Sequence, residues 1–169
     1  MSSHQRTIPA SNIAASLGAT LSEIGAAARV EDVVNILRRP LPRLDLGMFT
    51  LDPDGYVRHL LHRDERFEAL IIGWLPGQFS EIHDHGGAEC AFRVLRGMAV
   101  ERRYESVHDS LAREVSRDVY LPGSVVACVD DDIHSMGADA DASDPLFTLH
   151  VYRPEPVMRV YQLAAGVKR

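Results

Sequence analysis

Cysteine is scarce in this chain of 169 residues, which contains only Cys90 and Cys128. Two thiols cannot form the several disulfides that stabilise many small secreted domains. The sequence also lacks any apolar run near the roughly 20 residues that a membrane-spanning helix needs. Its first residues, MSSHQRTIPASN, do not include the apolar segment of a signal peptide. We therefore expect a cytoplasmic protein with reduced thiols and no membrane partner.

Positive charge is in short supply as well: 18 Lys and Arg residues against 24 Asp and Glu residues give a net charge of −6. A protein that binds nucleic acid normally has a basic face, so we expect no nucleic-acid partner. The hydrophobic fraction of 46% and the charged fraction of 25% are ordinary for a globular protein. The length predicts one domain over residues 1–169 with a full-sized core.

The first quarter of the chain has a helical pattern. Four apolar residues recur at steps of four, four and three, which places them on one helix face: Ile13, Leu17, Leu21 and Ile24. Ser11 or Asn12 can cap the start of this helix. A second short helix is predicted over Glu31–Arg38 because Pro40 follows it. Together they predict a helical cap over about residues 9–39.

From Tyr56 onward, short apolar runs alternate with turn signals. The turns are marked by three dipeptides: Pro76-Gly77, Arg96-Gly97 and Pro122-Gly123. Short strands at regular spacing are typical of a sandwich or barrel, and we expect an all-antiparallel barrel over about residues 45–165. The acidic stretch from Asp130 to Asp144, rich in Ala and Gly, is predicted to be a loop.

The stretch IHDHGGAEC carries the strongest chemical signal. His83 and His85 stand two apart on a predicted strand, so their side chains share one face and can chelate one metal. An H-x-H pair alone fits a solvated pair at a strand edge equally well. The spacing of glycines favours the metal: Gly77, then QFSEI, then H-D-H, and finally Gly97 resemble the first motif of the cupin superfamily.

That motif normally ends in a glutamate six residues before its last glycine. Counting back from Gly97 reaches Cys90, whereas Glu89 is one residue out of register. Neighbouring strand residues point to opposite faces, so we expect Glu89 to face away from the site. A third histidine must then come from a later strand, and the candidates are His134 and His150. The other histidines are expected to be solvated (His4, His108) or structural (His59, His62).

These residues together resemble the cysteine dioxygenase family of iron thiol dioxygenases. The matching pieces are YVR, W-x-P-G-Q-x-S-x-I-H-D-H, VLRG, His134 and T-L-H-V-Y, and they span roughly Tyr56 to Pro154 in the family's order. The resemblance implies an all-β-dominated fold, a cupin double-stranded β-helix or jelly-roll barrel with a short helical N-terminal cap.

The resemblance also implies a role for each site residue. His83, His85 and His134 would hold Fe(II), and Arg58 would hold the substrate carboxylate with Tyr56 beside it. The catalytic group would comprise Tyr152, His150, Thr148 and Cys90. In animal members, residues at the positions of Cys90 and Tyr152 form a thioether, but many bacterial relatives have glycine at the first position. The family has serine where this chain has Thr148, a change that keeps the hydroxyl.

Physical chemistry supports this reaction class. Three neutral imidazoles leave the full charge of a divalent metal, which favours a thiolate ligand and lowers the thiol pKa. Adding both atoms of O₂ to sulfur gives a sulfinic acid. The planar fork of Arg58 matches a carboxylate in a way that a lysine cannot. We therefore expect a small thiol and O₂ as partners and L-cysteine, converted to cysteine sulfinate, as the favoured substrate.

Several alternatives stay open at this stage. The substrate can instead be 3-mercaptopropionate or mercaptosuccinate, although relatives acting on 3-mercaptopropionate tend to have glutamine in place of Arg58. A non-redox metal cupin using zinc or manganese and a ligand-binding cupin module are the other classes. A monomer or weak homodimer is expected, and the sequence does not decide whether a Cys90–Tyr152 thioether forms.

Overall fold

The computed structural model describes residues 6–9, 16–128 and 132–164. Within these residues the chain forms two α-helices, one short 3-10 helix at Leu46–Met48 and eleven β-strands. The helices are α1 (Gly18–Ala26) and α2 (Val30–Arg38). The strands are β1 (Arg6–Pro9), β2 (Val57–Arg63), β3 (Glu68–Trp74), β4 (Ile82–Asp84), β5 (Glu89–Arg96), β6 (Ala99–His108), β7 (Leu111–Tyr120), β8 (Val125–Cys128), β9 (Ile133–Ala138), β10 (Leu146–Arg153) and β11 (Arg159–Leu163).

Helix α2 follows the sequence prediction closely and starts one residue earlier. The backbone N–H of Arg29 donates to the Asp32 carboxylate at 3.2 Å, and this acidic first turn suits the positive end of the helix dipole. The helix ends before Pro40 because a residue that precedes proline is driven into extended conformation, as Arg39 is. The predicted helix start, with Ser11 or Asn12 as its cap, lies outside the described residues.

The strands form two sheets. One has the order β1-β2-β3-β10-β5-β8, and the other, β11-β4-β9-β6-β7, closes on itself because β11 pairs with β7. Helix α2 packs its buried side on the outer face of the first sheet, where Val33 and Leu37 join Ile71 and Leu149 in one apolar cluster. Since both faces of the central strand β3 are covered, all of its residues are buried.

A second apolar cluster fills the space between the two sheets. Ile72 and Phe92 contribute from the first sheet, and Met136 contributes from the second. Ile72 and Met136 of this layer also line the candidate site, so its polar groups are held in a closely packed environment. Within the described residues, no helix has the length and apolar character needed to cross a membrane.

Two sequence predictions about the barrel were wrong. The strands are not all antiparallel, since β1 pairs with β2 and β11 pairs with β7 in parallel. A parallel pair needs a long crossover, and the connection that contains both helices supplies one between β1 and β2. The predicted loop from Asp130 to Asp144 contains strand β9, whose residues are all buried.

The segment that forms β9 was predicted to be a loop because it is rich in small residues. In the structure, a small residue of β9 allows a neighbouring segment to pack closely against the strand. A Cβ on Gly137 would stand 2.0 Å from the carbonyl oxygen of Gln78 and 2.7 Å from the Cα of Phe79. Only glycine allows the segment before β4 to approach the strand this closely. That approach positions the entry into β4, which carries His83 and leads directly into His85.

Candidate metal centre and active site

Three buried histidines converge in the second sheet and just after its strand β4. His83 on β4 stands directly opposite His134 on β9, and His85 follows the last residue of β4. Their ligand nitrogens lie within 4.8 Å of one another, with Nε2 of His85 3.3 Å from Nε2 of His134. Two nitrogens that bind one metal at about 2.1 Å stand roughly 3 Å apart, so this donor set fits a metal ion.

A tight turn follows His85, the second of the three histidines that we call the metal triad (His83, His85 and His134), and sets the direction of its side chain. Gly86 has φ of +60°, and a Cβ there would meet the carbonyl oxygen of Val157 at 2.4 Å. Asp84 secures the turn by accepting from the Gly86 N–H at 2.9 Å and from the Tyr161 hydroxyl at 2.7 Å. Asp84 therefore acts on the backbone and on β11, while the imidazoles on either side face the site.

Hydrogen bonds on the outer nitrogens orient two of the rings. Nδ1 of His83 donates to the carbonyl oxygen of Glu81 at 2.8 Å, which directs Nε2 of the ring to the site. Nδ1 of His134 lies 2.8 Å from Oε1 of Glu101 and likewise leaves Nε2 for a metal. Such outer partners are typical of histidines that bind metals, because they fix the tautomer and the ring plane.

Burial and the charge of the neighbouring imidazole keep two of the rings neutral at neutral pH, the state that binds a metal. Burial, followed by the charge of His134, lowers the pKa of His83 to about 4 and that of His85 to about 3. Burial also opposes the charge on His134, but contacts with Cys128 and Glu101 raise its pKa to about 9. At neutral pH, His83 and His85 thus offer lone pairs, whereas His134 must release a proton from Nε2 when a metal binds.

Glu101 on β6 is the main site residue that sequence reasoning missed. It is 1% exposed and, besides His134, it accepts from the Tyr120 hydroxyl at 2.9 Å and from Arg103 at 3.1 Å. Burial raises the pKa of Glu101, but His134 and Arg103 outweigh it and bring the pKa to about 2. One signal in the sequence could have identified Glu101. It stands two residues after the apolar Ala99 on the same strand, so both side chains face inward.

Glu101, Cys128 and His134 also bring donor atoms within 4.8 Å of one another. A metal there would need Nδ1 of His134, the nitrogen that is hydrogen-bonded to Glu101. Binding metals at both nitrogens would strip the ring of its last proton. We therefore interpret this cluster as the support of the three-histidine site.

Strand β10 presents a chain of polar side chains. Thr148, His150 and Tyr152 alternate along the strand and so share one face. The Tyr152 hydroxyl lies 3.3 Å from Nδ1 of His150, and Nε2 of His150 lies 3.0 Å from Oγ1 of Thr148. The series of hydrogen bonds extends to Trp74, whose Nε1 donates to Thr148 at 3.2 Å and whose ring stacks on Tyr56.

Arg58 is anchored by a buried carboxylate. Its Nη2 donates to Glu68 at 2.8 Å, and Glu68 is fully buried. Arg63 binds the other oxygen of the same carboxylate. Arg63 also pairs with Glu155 at 3.2 Å, so the two guanidinium groups are balanced by two carboxylates, and of these four groups only Arg58 lines the cavity described below. Sequence reasoning missed Glu68, although it directly faces Arg63 across β2 and β3.

A small cavity opens between these groups. Its walls include six residues that the sequence analysis proposed for the site: Tyr56, Arg58, His83, His134, His150 and Tyr152. The other walls are mostly apolar: Ile72, Trp74, Ser80, Met136 and Met158. His85 belongs to the metal triad without lining this cavity, and Cys90 and Thr148 lie behind Tyr152 and His150. The cavity is thus lined by two candidate metal ligands, His83 and His134, together with the guanidinium of Arg58 and the phenol of Tyr152.

The model of the cysteine dioxygenase type I family matches residues 6–162. The chain belongs to this family. Among solved structures, it is similar to the protein TT1209 from Thermus thermophilus, with a TM-score of 0.54, 22% identity and coverage of 68% of this chain and 98% of the other.

Two further structures share the fold. A Klebsiella pneumoniae protein with a double-stranded β-helix domain has a TM-score of 0.54, 13% identity and coverage of 76% and 94%. An oxalate oxidase has a TM-score of 0.53, 13% identity and coverage of 70% and 62%. At these identities the likeness shows the fold alone. Both the predicted family and the predicted cupin barrel are confirmed.

Cys90, which the spacing to Gly97 predicts at the glutamate position of the first cupin motif, is a strand residue. It lies on β5 directly opposite Tyr152 on β10. Burial raises the pKa of its thiol. Glu89, one residue earlier, stands opposite Arg153 and is half-buried, while Cys90 is buried. The register thus brings Cys90 and Tyr152 together, and their predicted chemical roles stay predictions.

Proposed function

We propose that the protein is an Fe(II)-dependent thiol dioxygenase that adds both atoms of O₂ to the sulfur of a small carboxylated thiol. L-Cysteine, which would yield cysteine sulfinate, is the favoured substrate. The observation that carries this proposal is the arrangement of the cavity, with a three-histidine donor set on one wall and Arg58 on another. A small thiol and O₂ are then the partners of the protein, which we expect to act as a monomer or weak homodimer.

The donor set favours iron and thiol chemistry. His83, His85 and His134 would hold Fe(II), which supplies a site where a thiolate and O₂ can meet. The set is a variant of the facial triad of non-heme iron oxygenases in which histidine replaces the carboxylate. Because Glu101 lies behind His134 and does not line the cavity, its charge adds basicity to the ring without neutralising the site.

Arg58 would recognise the substrate carboxylate. A guanidinium forms strong paired hydrogen bonds with a carboxylate, and Arg58 lines the cavity, where a substrate carboxylate can reach it. Glu68 holds the side chain in one orientation, which lowers the entropy lost when substrate binds. A substrate fixed at its carboxylate presents its sulfur at a defined distance from the donor set.

Tyr152 would act as a hydrogen-bond donor to the reacting oxygen or sulfur. Burial, followed by the neighbouring Cys90, raises the pKa of its hydroxyl, so the group keeps its proton. Burial and the nearby imidazoles lower the pKa of His150, so this ring stays neutral and positions the tyrosine. A fixed donor in a dry cavity stabilises developing negative charge more strongly than water does.

A thiol panel tests the proposal. Protein reconstituted with Fe(II) under anaerobic conditions is given O₂ with L-cysteine, 3-mercaptopropionate, mercaptosuccinate or cysteamine, while oxygen uptake and sulfinate are measured. We expect sulfinate from at least one carboxylated thiol and little from cysteamine, which lacks the carboxylate. Equal rates with cysteamine would remove the role proposed for Arg58. Zinc in the purified protein, with no thiol-dependent oxygen uptake, would instead support a non-redox cupin.

A further inference from the structure

The two cysteines of the chain form a cross-strand pair outside the cavity. Cys90 on β5 stands directly opposite Cys128 on β8 in the antiparallel register. Both residues are 1% exposed, and both thiols are free. The proposed function uses neither Cys128 nor this pairing.

The register satisfies the geometry that a disulfide requires. Directly opposite residues in an antiparallel pair have Cα atoms roughly 4.5 or 5.5 Å apart and side chains on the same face. A disulfide joins residues whose Cα atoms are about 4.4–6.8 Å apart. Cys90 and Cys128 can therefore be joined without moving either strand.

We propose that Cys90 and Cys128 form a reversible oxidation site in which hydrogen peroxide converts the two thiols to an intramolecular disulfide. The first sulfur attacks peroxide, and the O–O bond breaks to give a sulfenic acid and one water. The second thiol attacks the sulfenic sulfur, forms the S–S bond and releases the other water. Two thiols and one peroxide thus give one disulfide and two waters, and the two electrons pass from sulfur to oxygen. A dithiol reductant reverses the step.

The position of the pair connects this oxidation to the rest of the protein. The Cys128 thiol donates to Oε1 of Glu101 at 3.7 Å, and the same oxygen lies 2.8 Å from Nδ1 of His134. Forming the disulfide removes the S–H donor from Glu101 and also removes the free thiol of Cys90 beside Tyr152. The oxidation site does not rest on the proposed function, because it needs neither a bound metal nor a substrate.

The test follows both thiols in the full-length protein. The reduced protein is treated with a small excess of hydrogen peroxide, quenched, unfolded in N-ethylmaleimide and digested without reductant for mass spectrometry. We expect a peptide containing Cys90 linked to a peptide containing Cys128, with the loss of two hydrogen atoms. After treatment with dithiothreitol, both thiols should again react with N-ethylmaleimide.

Several results would overturn the inference. One is that both thiols still react fully with N-ethylmaleimide after peroxide treatment. Another is a disulfide that joins two chains. A third is oxidation of Cys128 to a sulfinic acid while Cys90 stays free. A reductant-resistant link from Cys90 to Tyr152 with free Cys128 would also contradict it. As matched controls, Cys90→Ser and Cys128→Ser each keep one thiol and should give no linked peptide within the chain, because oxidation without a second thiol stops at the sulfenic acid. The wild-type measurement decides the question even if a variant does not fold.

Discussion

Glu101 illustrates how much a single buried side chain determines in this site. It contacts His134 at 2.8 Å and is itself held by Tyr120 and Arg103. We expect Glu101→Gln to weaken metal binding about 10–100-fold, the usual effect of removing a carboxylate behind a histidine ligand. Competition with a chelator measures this change. Glu105→Gln, at an exposed position of the same strand, should leave the affinity unchanged, and a similar loss in that control would contradict the account.

The proton on His134 predicts how metal binding depends on pH. Its pKa is raised to about 9, whereas those of His83 and His85 lie near 4 and 3. Between about pH 5 and pH 9, one proton must therefore leave the site for each metal bound. Affinity should rise about tenfold per pH unit in this window and level off above it. A flat profile between about pH 6 and pH 8 in the metal-binding titration would show that His134 is already neutral.

Arg58 provides a prediction about the substrate. Arg58→Lys keeps the charge but loses the planar fork, and hydrogen bonds to charged groups contribute about 1.5–3 kcal/mol each. We expect kcat/KM for L-cysteine to fall roughly 10–100-fold and that for cysteamine to change little. Steady-state oxygen uptake with both thiols tests this. Arg66→Lys, at an exposed position, is the control. If Arg58→Lys lowers kcat/KM equally for both thiols, Arg58 acts on folding and not on the substrate carboxylate.

The residues that sequence reasoning found and missed differ in a systematic way. His83 and His85 could be proposed because two residues two positions apart on a predicted strand share a face, and the spacing of the surrounding glycines then favoured a metal site. The roles of Glu101 and Glu68 depend on their partners on other strands, which are His134 and Arg58. Their burial and pairing depend on strand register, which no local pattern specifies.

At the scale of an element, β10 is held together by its polar face. Thr148 lies between Nε1 of Trp74 and Nε2 of His150, so its hydroxyl satisfies two buried groups. Thr148→Val keeps the shape and leaves these groups unpaired, at a cost of about 1–3 kcal/mol in the free energy of unfolding. Urea denaturation measures the loss, and Thr148→Ser should retain most of the stability. Equal losses in both variants would assign the effect to packing.

Strand β9 depends on the glycine that made its sequence resemble a loop. A Cβ on Gly137 would overlap the backbone of Gln78 and Phe79. We expect Gly137→Ala to lower the free energy of unfolding by about 1–3 kcal/mol, the usual cost of overpacking, and to lower Tm. Gly55→Ala is the matched control because nothing lies within 4 Å of a Cβ at that position. An unchanged Tm for Gly137→Ala would mean that the segment before β4 moves away without cost.

For the whole molecule, fold class was more accessible to sequence reasoning than strand order. Short strands between Pro-Gly and Arg-Gly turns sufficed to predict a barrel, and the resemblance of the Gly77–Gly97 segment to a cupin motif implied the cupin fold. The parallel partners β1–β2 and β7–β11 were not predicted, because each joins segments far apart in the chain. Such pairs are set by how the sheets close and pack, and local alternation carries no information about them.

The most direct test of the central claim is isotope labelling of the product. Fe(II)-loaded protein is given L-cysteine and O₂ in which both atoms are ¹⁸O, and the sulfinate is analysed by mass spectrometry. The account predicts a sulfinate that carries two labelled oxygens, with one O₂ consumed for each thiol. A product with one labelled oxygen, or consumption of the thiol only to its disulfide, would contradict a dioxygenase reaction at this site.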